Sequence, residues 1–322
     1  ILMSELLSVI LPIYSEEKNI NELYNRLRNV FTDVLHINYE IIFVDDGSND
    51  DSWKLIEELH ENDNKVIGLR FSRNFGHHIA ITAGIDYSTG DYTLLMDSDL
   101  QDQPEEIPKL LDKLKEGYNV VYGIRQKKEF GFLKTVSSNI VISLMNKISQ
   151  HDFKIDSNIF RILDKKVVDH LKEMRERDRY ILGLISYLGF KQVGIPIIHG
   201  ARFTGISKYS VNRLFNLGMN MLTSFSYLPL KIASFIGILI ASSCFIMVGW
   251  LVLQKILWGK AIAGWTSIMI AIFFMGGVQL SFLGILGEYV GRIYNESRNR
   301  PLYILDSSLG ISKEGRDSSL ER

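Results

Sequence analysis

Short apolar runs alternate with helix-periodic segments along the first 125 residues, and this alternation limits the fold more than any other feature of the chain. Ser8 to Tyr14 has strand character, and Ile20, Leu23, Leu27, Val30 and Val34 then recur at helical spacing. Glu40 to Val44 is the next strand, followed by a helix marked by Trp53, Ile56 and Leu59. Val66 to Phe71, a helix over Ile79 to Tyr87 and the strand Tyr92 to Met96 continue the pattern. Pro104 then opens a helix with Leu110, Leu111 and Leu114 on its apolar side, and Val120 to Ile124 is a fifth strand. Repeated βα units predict an α/β domain with a mainly parallel sheet covered by helices. Such a sheet binds its ligands beyond the carboxyl ends of its strands.

The polar clusters fall at those ends. Tyr14-Ser15-Glu16 follows the first strand, Asp45-Asp46-Gly47-Ser48 the second, Arg73-Asn74-Phe75-Gly76 the third and Asp97-Ser98-Asp99 the fourth, with Arg125 ending the fifth. Residues two apart on a strand face one side, so Asp97 and Asp99 can converge on one point. Two hard oxygen donors beside an open cleft suit Mg²⁺ or Mn²⁺, which keep coordination positions for water and substrate phosphates. Asp46 offers a hydrogen-bond acceptor and Tyr14 an aromatic face to a ligand at this rim. Asp45 is better placed to brace its turn, with Gly47 supplying backbone freedom. The guanidinium of Arg125 can grip a phosphate in a forked geometry that lysine cannot copy.

Charge is spread through the first two thirds of the chain and nearly vanishes between Ile232 and Gly287. Ile232 to Gln254 and Ala261 to Gly287 each carry no charged residue and exceed the roughly 20 apolar residues that cross a bilayer core. The short Lys255–Lys260 linker predicts a two-helix transmembrane hairpin, with Gly276, Gly277, Gly284 and Gly287 permitting close helix contact and self-association as a homo-oligomer. Lys231 before the first span and Arg292, Arg298 and Arg300 after the second favour a cytoplasmic catalytic domain on the plasma membrane. A formal net charge of −1 gives no basic field for nucleic acid, and a single cysteine excludes an intramolecular disulfide.

In order along the chain, Val9-Ile10-Leu11-Pro12-Ile13-Tyr14-Ser15-Glu16, Val44-Asp45-Asp46-Gly47-Ser48, Arg73-Asn74-Phe75-Gly76 and Asp97-Ser98-Asp99-Leu100-Gln101-Asp102 together resemble glycosyltransferase family 2. Within it, the likeness is to the polyprenyl-phosphate glycosyltransferases, through the tail Gly287-Glu288-Tyr289-Val290-Gly291-Arg292. The resemblance implies a GT-A, Rossmann-like catalytic domain and an inverting, metal-dependent sugar transfer. It implies that Pro12, Tyr14, Glu16, Val44 and Asp46, with Ser98, line the nucleotide-sugar site, and that Asp97, Asp99 and Gln101 serve the metal and diphosphate. It places Arg202 and Lys208 on a loop, Arg202 to Tyr209, that closes over the donor diphosphate. Lys134 and Ser138 stand where the family holds the lipid phosphate, and Asp156 matches its acceptor-side carboxylate.

The expected layout is a catalytic domain over 1–208, a juxtamembrane amphipathic segment over 209–230, two spans over 231–290 and a tail over 291–322, polar and loosely attached from Asp306 onward. Phe130 to Ile148 is a second candidate interfacial helix that would bring lipid to the site. The implied partners are a nucleotide sugar, a polyprenyl phosphate and membrane lipid. Glucose from UDP-glucose on undecaprenyl phosphate is the first expectation, and mannose from GDP-mannose the alternative. A processive polysaccharide synthase would need a Gln-x-x-Arg-Trp motif, which Arg177-Asp178-Arg179-Tyr180 is not. A non-catalytic membrane scaffold that senses nucleotide sugar would not need the intact Asp97, Asp99, Gln101 and Arg125.

Overall fold

A computed structural model describes residues 5–125, 157–177, 179–198, 200 and 264–311, with scattered helical positions between 235 and 257. Its eight strands form one sheet: β1 (Leu6–Ile13), β2 (Asn38–Asp45), β3 (Val66–Phe71), β4 (Tyr92–Leu95), β5 (Val120–Arg125), β6 (Ser157–Asp164), β7 (Gln192–Ile197) and β8 (Leu305–Leu309). The order across the sheet is β7-β5-β6-β4-β1-β2-β3-β8. The centre, β4-β1-β2-β3, is wholly parallel. All five strands expected from the sequence form, within two residues of the expected starts. The helices are α1 (Ile20–Asn29), α2 (Ser52–Asn62), α3 (His77–Tyr87), α4 (Ile107–Lys115), α5 (Lys165–Glu173), α6 (Ile181–Tyr187) and α7 (Trp265–Ser297).

The alternation within β1 explains the two layers. Leu7, Val9, Leu11 and Ile13 face a core shared with α1, α2 and α4, whereas Ile10 faces a second core shared with α3, α5 and α6. Both faces are covered, so the parallel strands read as continuous apolar runs rather than alternating ones. Helix α3 lies close to the sheet: a Cβ at Gly84 would stand 2.2 Å from the Ile10 side chain. Pro12 sits inside β1 without breaking its ladder. The carbonyls of Ile10 and Pro12 face the β4 side, accepting from Met96 N and Ser98 Oγ. Because β4 stops at Leu95, the ring nitrogen of Pro12 displaces no ladder donor.

The flanks follow other rules. β6 inserts between β4 and β5 and runs antiparallel to both, while β5 pairs with β7 in parallel. On the far edge, β8 is antiparallel to β3. This corrects the loosely attached tail: Asp306 to Leu309 belong to the sheet. A register shift that skips Asp306 lets Leu305 reach one core while Leu309, over Gly68, reaches the other. Two apolar anchors on opposite faces hold a segment whose local composition reads as polar.

The chain divides into two compact units, one holding the sheet and residues 300–311, the other holding α7. Among the described residues, no helix is long and apolar enough to cross a membrane. Most of the first expected span, the juxtamembrane segment 209–230 and the candidate helix 130–148 lie outside the described residues.

Candidate active site

The loop after β2 is the keystone of the rim. Asp45 is fully buried, and its Oδ1 accepts from Ser48 N at 2.9 Å, the turn-bracing role expected of it. Burial raises the Asp45 pKa above the usual carboxylate range, against opposing pulls from Ser48 and from Arg70, whose Nε lies 3.5 Å away. Gly47 has φ of +72°, and a Cβ there would lie 2.7 Å from the backbone of Arg73. Only glycine lets the β2 turn and the β3 loop approach this closely.

Asp46 has a task the sequence did not disclose. Its Oδ1 accepts from Phe75 N at 2.6 Å and its Oδ2 from Gly76 N at 2.9 Å, so the carboxylate fixes the Arg73–Gly76 loop just ahead of α3. Asp46 is only 4% exposed, and burial raises its pKa while these two amides pull it back. Val44 is likewise fully buried, in the core. Ser98 turns inward, its Oγ donating to Pro12 O at 2.9 Å and tying the end of β4 to β1. These three therefore shape the rim from behind.

Tyr14, in the turn after β1, has half of its surface exposed. The turn is stitched to the β2 loop: Ser15 N donates to Ser48 Oγ at 3.0 Å and Glu16 N to Ser52 Oγ at 3.1 Å. The Glu16 carboxylate accepts from Asn19 Nδ2, at the start of α1.

At the end of β4, Asp97 and Asp99 are both partly exposed. Asp99 Oδ1 accepts from Gln101 N at 3.1 Å and its Oδ2 from Gln101 Nε2 at 2.7 Å, across Leu100 with its positive φ. Gln101 thus steadies Asp99. His77, the first residue of α3, brings its Nε2 to 3.4 Å from Asp97 Oδ1. Burial lowers the His77 pKa, while Asp46 and Asp99 push it back up. His77 was missed from the sequence; its position directly after Arg73-Asn74-Phe75-Gly76, on a rim loop, was the available signal. Among the described residues no cluster of three or more His, Cys, Asp or Glu is arranged for a metal ion. The donor set nevertheless fits a hard divalent cation in part: the Asp97 and Asp99 carboxylates and the Gln101 amide oxygen are hard oxygen donors of the type such an ion takes. Gly200 N donates to Gln101 O at 2.8 Å, which ties the segment leading into Arg202 to this same turn.

The backbone of Arg125 ends β5 opposite Ile197. Its side chain lies outside the described residues, as do Lys134, Ser138, Asp156, Arg202 and Lys208. The structure thus brings the β1, β2, β3 and β4 clusters onto one rim.

A mainly parallel α/β sheet with paired carboxylates at the carboxyl edge of a central strand has the form of a ligand-binding α/β domain. The family described as Glycosyl transferase family 2 matches residues 8–172. This chain belongs to glycosyltransferase family 2, and its α/β domain is GT-A-like. It is 40% identical over 308 residues to the uncharacterized glycosyltransferase YkcC of Bacillus subtilis, covering 95% of each chain. It is 36% identical over 304 residues to the bactoprenol glucosyl transferase of Shigella phage SfX, covering 94% of this chain and 99% of that one. Among solved structures, glucosyl-3-phosphoglycerate synthase from Mycobacterium tuberculosis, in complex with Mn²⁺, UDP-glucose and phosphoglyceric acid, aligns with a TM-score of 0.45 and 17% identity. That alignment covers 68% of this chain and 79% of the other.

Proposed function

We propose that this chain transfers glucose, with inversion, from UDP-glucose to a polyprenyl phosphate such as undecaprenyl phosphate at the cytoplasmic face of the plasma membrane. The observation that carries the proposal is the Asp97/Asp99 pair at the rim of a chain that matches a bactoprenol glucosyl transferase over nearly the whole length of both.

In the reaction, an oxygen of the acceptor phosphate attacks the anomeric carbon as its bond to the donor diphosphate breaks on the opposite face. The acceptor is a phosphomonoester with a second pKa of about 6, so it is largely ionised near neutral pH and needs little deprotonation. It needs positioning, and relief from repulsion by the diphosphate. Arg125, Arg202 and Lys208 are assigned to the diphosphate, and Lys134 and Ser138 to the acceptor phosphate. Asp156 orients the acceptor and takes up a proton when the acceptor carries one. Mg²⁺ or Mn²⁺ held by Asp97 and Asp99, with Gln101, would offset the charge that grows on the leaving diphosphate. Tyr14, exposed on the rim, is assigned to the base. The loop that begins at Arg202, two residues after the Gly200 bond to Gln101, is assigned to donor closure.

Membrane anchoring belongs to the proposal through the two uncharged runs of sequence. Beside those runs, α7 exposes Ile268, Ile272, Phe274, Leu280 and Leu283, an apolar surface of the kind that seats against lipid or another chain.

The test is to incubate the purified full chain and MnCl₂ or MgCl₂ with undecaprenyl phosphate and, separately, radiolabelled UDP-glucose, GDP-mannose and UDP-N-acetylglucosamine. Label entering the organic phase only from UDP-glucose is the expected result. Transfer from GDP-mannose instead would replace the sugar assignment. Nucleotide binding with no transfer from any donor would favour a sensing role over catalysis.

A further inference from the structure

The segment that follows α7 does more than close the edge of the sheet. Ser72 N, at the start of the β3 loop, donates to Ile304 O at 3.0 Å. The Tyr303 ring stacks on Phe71, with centroids 5.2 Å apart and planes 19° apart. Phe71 in turn meets Phe75 edge-on at 5.5 Å. Phe75 is the residue whose amide is held by Asp46, and the Arg73 guanidinium lies 4.0 Å over its ring. A second grip lies at the far end of α3. Tyr303 Oη donates to Asp86 Oδ2 at 2.9 Å, and Arg175 Nη1 donates to both Asp86 oxygens at 2.8 and 2.9 Å. Burial and the Asp86 carboxylate hold the Tyr303 hydroxyl well above its usual pKa, so it stays protonated and keeps donating. One tyrosine thus touches the strand before the Arg73–Gly76 loop and the helix after it.

We propose that Tyr303, on the strap formed by residues 303–309, is a positioning residue for the donor side of the active site. It sets the Arg73–Gly76 loop, and with it His77 beside Asp97, through the stack Tyr303–Phe71–Phe75 and the anchor at Asp86. Donor binding then depends on a segment that joins the sheet only after the helical unit has been traversed. The inference rests on the assignment of this rim to a nucleotide sugar.

Two measurements on the full chain test it: hydrogen exchange followed by mass spectrometry, and steady-state transfer from UDP-glucose to undecaprenyl phosphate with MnCl₂. Tyr303→Ala is expected to speed exchange in peptides covering 72–78 while β1 and β2 stay protected. It should raise KM for UDP-glucose about 3- to 10-fold, the size of one lost aromatic contact, with kcat within about twofold. Tyr303→Phe keeps the ring, should recover most of the KM, and guards against a variant that fails to fold. Wild-type exchange over 72–78 together with wild-type KM in Tyr303→Ala would overturn the proposal. So would faster exchange across the whole sheet with kcat and KM both changed, which marks a general brace. If the exchange effect holds but the wild type transfers no glucose, the loop coupling stands and the glucosyltransferase assignment fails.

Discussion

The centre of the sheet and its flanks are built by different rules. Strands β4-β1-β2-β3 come from four consecutive βα units and are all parallel, with β4 crossing back to pair with β1, and their carboxyl ends carry the site. The flanks recruit distant segments: β6 slips between β4 and β5, and β8 returns from beyond α7. Chemistry is concentrated where the fold is parallel and repetitive. Support for that chemistry, through Tyr303 and the Gly200 tie, comes from segments that arrive late in the chain.

Substitutions can separate the two roles. The largest effect is expected at the centre: Asp99→Ala should lower transfer about 10²- to 10³-fold. Its melting temperature should stay within about 2 °C of wild type, because Asp99 is partly exposed and two of its hydrogen bonds are to the neighbouring Gln101. Full activity in this variant would remove the metal assignment. Next comes Gly47→Ala, where a left-handed φ and a Cβ 2.7 Å from the Arg73 backbone should cost about 2–4 kcal/mol, read from urea midpoints. A midpoint equal to wild type would mean that the two loops do not pack as described.

On the flank, Leu309→Ala should cost about 1–2 kcal/mol, since the side chain is only half-buried over Gly68. A loss as large as that of Gly47→Ala would erase the distinction between centre and edge. A pH-dependent effect concerns His78, whose pKa burial lowers from 6.5 to about 4. Folding therefore favours the neutral ring, so its contribution to stability is present above pH 6.5 and is lost as pH falls toward 4. The gap in melting temperature between wild type and His78→Gln should change across that window, and parallel pH profiles would refute the assignment.

The central strands were legible because apolar periodicity is a local signal, and five strands with their helices came through with small shifts of boundary. The rim clusters were legible for the same reason: each sits directly after a strand, and strand ends of a parallel sheet share one edge. β8 was not legible. Its residues Leu-Asp-Ser-Ser-Leu carry too little apolar character for a strand, and only the bulge at Asp306 lets both leucines reach a core. Nor could the facing of individual side chains be read in advance. Asp46 and Ser98 have the composition of ligand contacts, and the structure adds a bracing role for each through Phe75, Gly76 and Pro12.

The sequence by itself determined the family, the parallel centre and the edge on which the carboxylates gather, because these follow from periodicity and from motifs in a fixed order. Only the tertiary structure decided which polar groups face the cleft and which brace it. It also decided that the strand after α7 completes the sheet. Those outcomes depend on close approaches between residues far apart in the chain, such as Asp46 with Gly76 and Phe71 with Tyr303, and no local pattern encodes them.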